Sequence, residues 1–120
     1  MAKAIEEYSV QETGQKIEQV LNENPEPIKE MNVIYQYDIT DEDYSFQLHL
    51  ADGTAKVSVG SPDKADCTIQ MSFPDFKKML LGKLNGTVAF MSGKLKIRGD
   101  IGKAIKIESV LRQYNVVDHL

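Results

Sequence analysis

Apolar residues keep two rhythms along this chain, and the switches between them mark its parts. From Val10 they recur every three or four positions, at Val10, Ile17, Val20 and Leu21. The stretch Ser9-Val10-Gln11-Glu12 in front has the serine-to-glutamate spacing of a capping box, so a helix is predicted from Val10 to Asn22. Asn24 followed by Pro25 stops it and offers a brief second helical turn. At Val33 the period shortens to two: Val33, Tyr35, Tyr37 and Ile39 share one parity, Gln36, Asp38 and Thr40 the other. After Asp41-Glu42-Asp43, the residues Tyr44, Phe46, Leu48 and Leu50 alternate with Ser45, Gln47 and His49. The turn dipeptide Asp52-Gly53 leads into Ala55, Val57 and Val59, which predicts a three-stranded antiparallel meander. Cys67, Ile69 and Met71 mark a fourth strand.

The helical rhythm returns at Ser72, a cap residue with Pro74 in the first turn and Asp75 at the reciprocal position; Phe73, Phe76, Met79 and Leu80 then share a face up to Gly82. Asn85 caps a second short helix that Gly93 ends. In "KLKIR", Leu95 and Ile97 alternate with Lys94, Lys96 and Arg98, a fifth strand with one wholly basic face. Asp100 caps a last helix with a broad apolar face from Ile101 through Leu111. The order predicts an α+β domain: a five-stranded, mixed but mostly antiparallel sheet, helices on one face and the other face wet. Strands four and five, separated by helices, are expected to be the parallel pair.

Composition changes this picture little. At 120 residues, 42% hydrophobic and 27% charged, one domain over residues 1–120 with a single core is expected. No apolar run reaches the roughly 18 residues of a spanning helix, and "MAKAIEEYSV" lacks the apolar stretch of a secretory signal, so a cytoplasmic location is expected. The lone Cys67 fits a reducing compartment. A net charge of -4 argues against nucleic acid as a partner. That total hides an asymmetry, because residues 1–66 balance to -9 and residues 67–120 to +5. Two solvated faces account for it; so does a basic rim facing an anionic head group or membrane surface.

Chemistry is sparse. Two histidines and one cysteine do not make a metal site. His49 has the polar parity of its strand and Cys67 the apolar parity of its own, which sets a Cys-His pair on opposite faces. Gly93, Gly99 and Gly102 fit neither a dinucleotide fingerprint nor a Walker loop, and Asp41-Glu42-Asp43 lacks the ligand spacing of a calcium loop. No catalytic residue and no cofactor is expected. What stands out is the methionine- and phenylalanine-rich layer between Phe73 and Met91, which pattern leaves open as filled core or as the lining of a cavity.

At those residues the chain resembles a known family. "KADCTIQMS", "DFKKMLLGKLN" and "AFMSGKLKIRGD", with "NPEPIKEMNVIYQYDI" upstream, resemble the sterol carrier protein 2 family, the non-specific lipid transfer proteins, over about Val10 to Leu111. The resemblance implies a five-stranded sheet roofed by helices, with an apolar tunnel between the layers for fatty acid, fatty acyl-CoA, sterol or phospholipid, and no catalysis. Phe76, Leu80, Leu84, Phe90, Met91, Ile101 and Ile105 are then the expected lipid-binding residues. Lys83, Lys94, Lys96, Arg98 and Lys103 are the expected contacts to a charged head group or, transiently, to an anionic membrane. The ending Asp118-His119-Leu120 departs from the peroxisomal Ser-Lys-Leu that eukaryotic members often carry. Two other readings stand beside this one: an interaction or dimerisation module using the apolar helical face without a ligand, and an acyl-CoA hydrolase with Cys67 as nucleophile.

Overall fold

A computed structural model describes residues 7–114; residues 1–6 and 115–120, among them Asp118-His119-Leu120, lie outside the described part. Helix α1 (Val10–Glu23) starts where the capping box places it: the Ser9 hydroxyl accepts from the Glu12 N–H, and the Glu12 carboxylate accepts from the Ser9 N–H. A 3-10 turn (Glu26–Ile28) follows Pro25. Strands β1 (Val33–Ile39), β2 (Tyr44–Ala51) and β3 (Thr54–Val59) form the expected meander. Asp52 and Gly53 between β2 and β3 both take positive φ, 54° and 73°, as a two-residue hairpin turn matched to strand twist requires. Then come β4 (Cys67–Met71), α2 (Phe73–Leu80), α3 (Gly86–Met91), β5 (Lys96–Gly99) and α4 (Ile101–Tyr114).

The five strands form one mixed sheet in the order β3-β2-β1-β4-β5, with helices on one face, an α+β fold. The parallel pair is not the expected one. β4 and β5 run antiparallel, with Ile69 opposite Ile97, whereas β4 lies parallel to β1, with Tyr35 opposite Cys67. The reason is the path after β3. To start β4 beside the start of β1, the chain must return along the sheet, so the same-direction crossover is residues 60–66, and α2 and α3 become an arch between antiparallel neighbours.

The second face is wet as expected at Lys56, Lys96 and Arg98, but that return path covers one position of it. Gln47 has the polar parity yet is fully buried, because its amide donates to the Asp63 carbonyl at 2.7 Å and accepts from the Asp63 N–H at 3.3 Å. On the helix-covered face the apolar parity forms one core, with Tyr35, Tyr37, Phe46, Phe76, Ile17 and Leu21 among its largest fully buried side chains. α1 closes the β3 edge as well: Asn22 exchanges two 2.8 Å hydrogen bonds with the Ala55 backbone, and Glu18 accepts from the Val57 N–H at 2.7 Å.

Candidate functional site

Strand alternation puts Tyr37, Ile69 and Ile97 on one face, and the β1-β4-β5 register aligns them in a row across three strands. Above this row the roof is incomplete. Ile101, Ala104, Ile105 and Glu108 recur on one side of α4 at helical spacing; Phe90 and Met91 face them from α3, and a cavity of about 290 Å³ lies between roof and floor. Met91, Ile105 and Ile101 line it while staying 82%, 55% and 47% exposed, so they stand at its opening. At the other end Met79 and Glu108 also line a second crevice of about 10 Å³ beside Leu80, so these two side chains separate the hollows.

Glu108 and the Tyr37 hydroxyl set the polarity of an otherwise apolar site. Glu108 Oε1 accepts from the Gly86 N–H at 3.0 Å and pairs with Arg112 Nη2 at 2.8 Å. A Cβ at Gly86 would collide with Glu108 Oε2, so the carboxylate comes this close only over a glycine. Asn85 completes that helix start, its side-chain oxygen accepting from Thr87 and Val88. The Tyr37 hydroxyl is buried and finds no hydrogen-bond partner among the described residues. Burial above all, then the charges of Tyr35, Cys67 and Glu108, pushes its pKa well above the usual tyrosine range. Tyr35, two residues earlier on the same face, donates to the Lys103 carbonyl at 2.8 Å.

Of the expected lining residues, Phe90, Met91, Ile101 and Ile105 come together around the cavity. Phe76 does not line it but is buried from α2 against Tyr37, with centroids 5.1 Å apart; Leu80 borders the separate crevice, and Leu84 packs on the core. None of the five expected head-group cations lines the cavity. Lys96 and Arg98 pair with Gln70 and Thr68, so they share the sheet face away from the helices, where Arg98 comes within 3.9 Å of Asp38. Lys94 and Lys83 are exposed outside the helices and strands; Lys103 lies in the first turn of α4 between Ile101 and Ile105. Cys67 is buried with its pKa raised, chiefly by burial and then by Asp100 and Asp66, while His49 faces the other side 3.8 Å from Asp63. Among the described residues no three potential ligands gather as a metal site, and no helix is long and apolar enough to cross a membrane.

The reading from sequence missed Tyr37 and Glu108. Glu108 carried a signal: it sits four residues after Ala104 and seven after Ile101, a charge on the apolar stripe of α4.

Comparison with known proteins agrees on one family. The model of the SCP-2 sterol transfer family matches residues 15–112. A hydroxysteroid dehydrogenase-like protein 2 from Xenopus tropicalis is 43% identical over 116 residues, covering 95% of this chain. The chain spans only 27% of that relative's length. Sterol carrier protein 2 from Yarrowia lipolytica in its apo form superposes with a TM-score of 0.71 at 30% identity, over 85% of this chain and 88% of that one. The sterol carrier protein domain 2 of Helicoverpa armigera gives 0.76 at 26% identity, over 96% and 94%.

Proposed function

Because the chain belongs to the SCP-2 sterol transfer family, a lipid-binding fold, we propose that the hollow between α3, α4 and β5 binds and transfers a single lipid without chemical conversion. One observation carries this reading: an apolar cavity of about 290 Å³ opens to solvent through exposed Met91, Ile101 and Ile105. That volume is at the low end for ligand sites, roughly 300–1,000 Å³, and suits one slender chain. Each methylene leaving water contributes about 0.8 kcal/mol, so a chain of about 16 carbons supplies about 10 kcal/mol gross before ordering costs. Such a site discriminates weakly between chain lengths, which suits a carrier of fatty acid, acyl-CoA, sterol or phospholipid. The same reading places the domain in the cytoplasm as one unit.

Native mass spectrometry of gently purified protein tests it, with displacement of a fluorescent fatty-acid probe alongside. The expected result is protein carrying one lipid mass and saturable probe binding. Bare protein that also refuses the probe overturns the proposal. The apolar fringe at the mouth favours a second reading, self-association of that face; a stoichiometric dimer free of lipid in the same spectrum would replace transfer by that.

A further inference from the structure

The cavity has an open end and a closed one, and two side chains of unlike character make the closed end. Met91, Ile101 and Ile105 stand exposed at the opening. Away from it, Met79 and Glu108 line both the cavity of about 290 Å³ and the crevice of about 10 Å³ that Leu80, Leu111 and Arg112 border. Glu108 is fastened there, since its Oε1 accepts from the Gly86 N–H and pairs with Arg112. Met79, in the last turn of α2, is buried, and its unbranched, soft thioether chain is placed by apolar packing. The crevice behind it holds about one water-sized sphere, so a guest gains room there only where Met79 gives way.

We infer that Met79 is an end wall that sets the longest acyl chain the cavity takes in full. The inference rests on the proposed lipid binding and adds the residue that governs chain length. An ionised carboxylate is costly to bury, so a fatty acid enters methyl end first and leaves its charge at the mouth. Each methylene that follows it inward leaves water and strengthens binding about fourfold. That gain stops once the methyl end meets Met79, because further methylenes stay outside the mouth. Affinity plotted against chain length therefore rises and then breaks to a plateau, at a length this side chain fixes. Of the two partition residues Met79 is the one whose truncation opens the way, because shortening Glu108 would also leave the Gly86 N–H and Arg112 without their partner.

Displacement of the fluorescent fatty-acid probe by saturated fatty acids, in a series of about 8 to 18 carbons, locates that break. Met79→Ala removes Cγ, Sδ and Cε and should move the break about two carbons longer, with the acid of that length bound about tenfold more tightly than by wild type. Met79→Leu, of similar volume, should leave the break where it was. Leu80→Ala widens only the crevice behind the wall and should leave it too. An unmoved break in Met79→Ala, an equal shift in Leu80→Ala, or no break in the wild-type series overturns the end wall while probe binding still stands. Should Met79→Ala fail to fold, Met79→Phe reads the wall from the other side: a break about two carbons shorter supports it, and an unmoved break overturns it. Wild-type protein that does not take up the probe overturns the lipid-binding reading itself, and the end wall with it.

Discussion

Over β2 and β3 the roof is α1, with Val10, Ile17, Val20 and Leu21 buried and Glu18 and Asn22 bonded to the edge strand; over β4 and β5 it is α3 and α4, with Phe90, Met91, Ile101 and Ile105 facing a gap. Both halves are amphipathic helices on an apolar sheet. What differs is reach and fastening. α1 has 14 residues, whereas α3 has six, about 9 Å of helix, too short to cover the strands beneath it. One side is packed shut and the other keeps a cavity of about 290 Å³.

The sharpest way to break this contrast is by truncation. Leu21→Ala should cost about 2–5 kcal/mol in urea denaturation, while Ile105→Ala, half-exposed at the mouth, should cost under about 1 kcal/mol. Equal costs would mean that both halves are packed alike. Filling the hollow comes next: Ala104→Phe should weaken fatty-acid probe binding about tenfold or more, with a stability change at most of the roughly 1–3 kcal/mol typical of overpacking. A tyrosine pair gives a smaller effect of opposite signs. Tyr35→Phe loses its bond to Lys103 and should destabilise by about 1 kcal/mol, whereas Tyr37→Phe removes an unpaired hydroxyl and should hold or raise the melting temperature.

The smallest effect lies on the far face. Burial pushes the Asp38 carboxyl up, but hydrogen bonds from Gln36, Ser45 and Gln70, then the Arg98 charge, together hold it below the ordinary 3.8. Its stabilisation is therefore full above that value and is lost as pH falls through the lower folded one. Asp38→Asn should flatten the acid side of the stability profile below about pH 4, measured by thermal melts, without touching probe binding.

Much of this fold was legible. The capping box at Ser9, the cap at Asn85 and the two-residue parity of each strand are local signals, and each element formed where its signal stood. The direction of β4 was not legible, because it depends on residues 60–66 crossing a sheet face, and Gln47 reads as a surface residue until that crossing buries it. At the site, Phe90, Met91, Ile101 and Ile105 announced themselves as apolar residues on short helices. Phe76 has the same signature yet packs from α2 against the Tyr37 ring, since which apolar residue meets a void depends on how helices end relative to one another. Tyr37 carries the parity of its strand; its lack of a partner is a fact about neighbours from four other elements.

The arch of α2 and α3 leaves the sheet at Met71 and rejoins it at Lys96, on strands laced directly to each other. Its two roots therefore stay adjacent whatever the helices do, and a tongue hung that way can lift without unstitching a single rung of the ladder below. Swelling of the interior, which the proposed lipid binding calls for, is thus mechanically separated from the integrity of the platform below it.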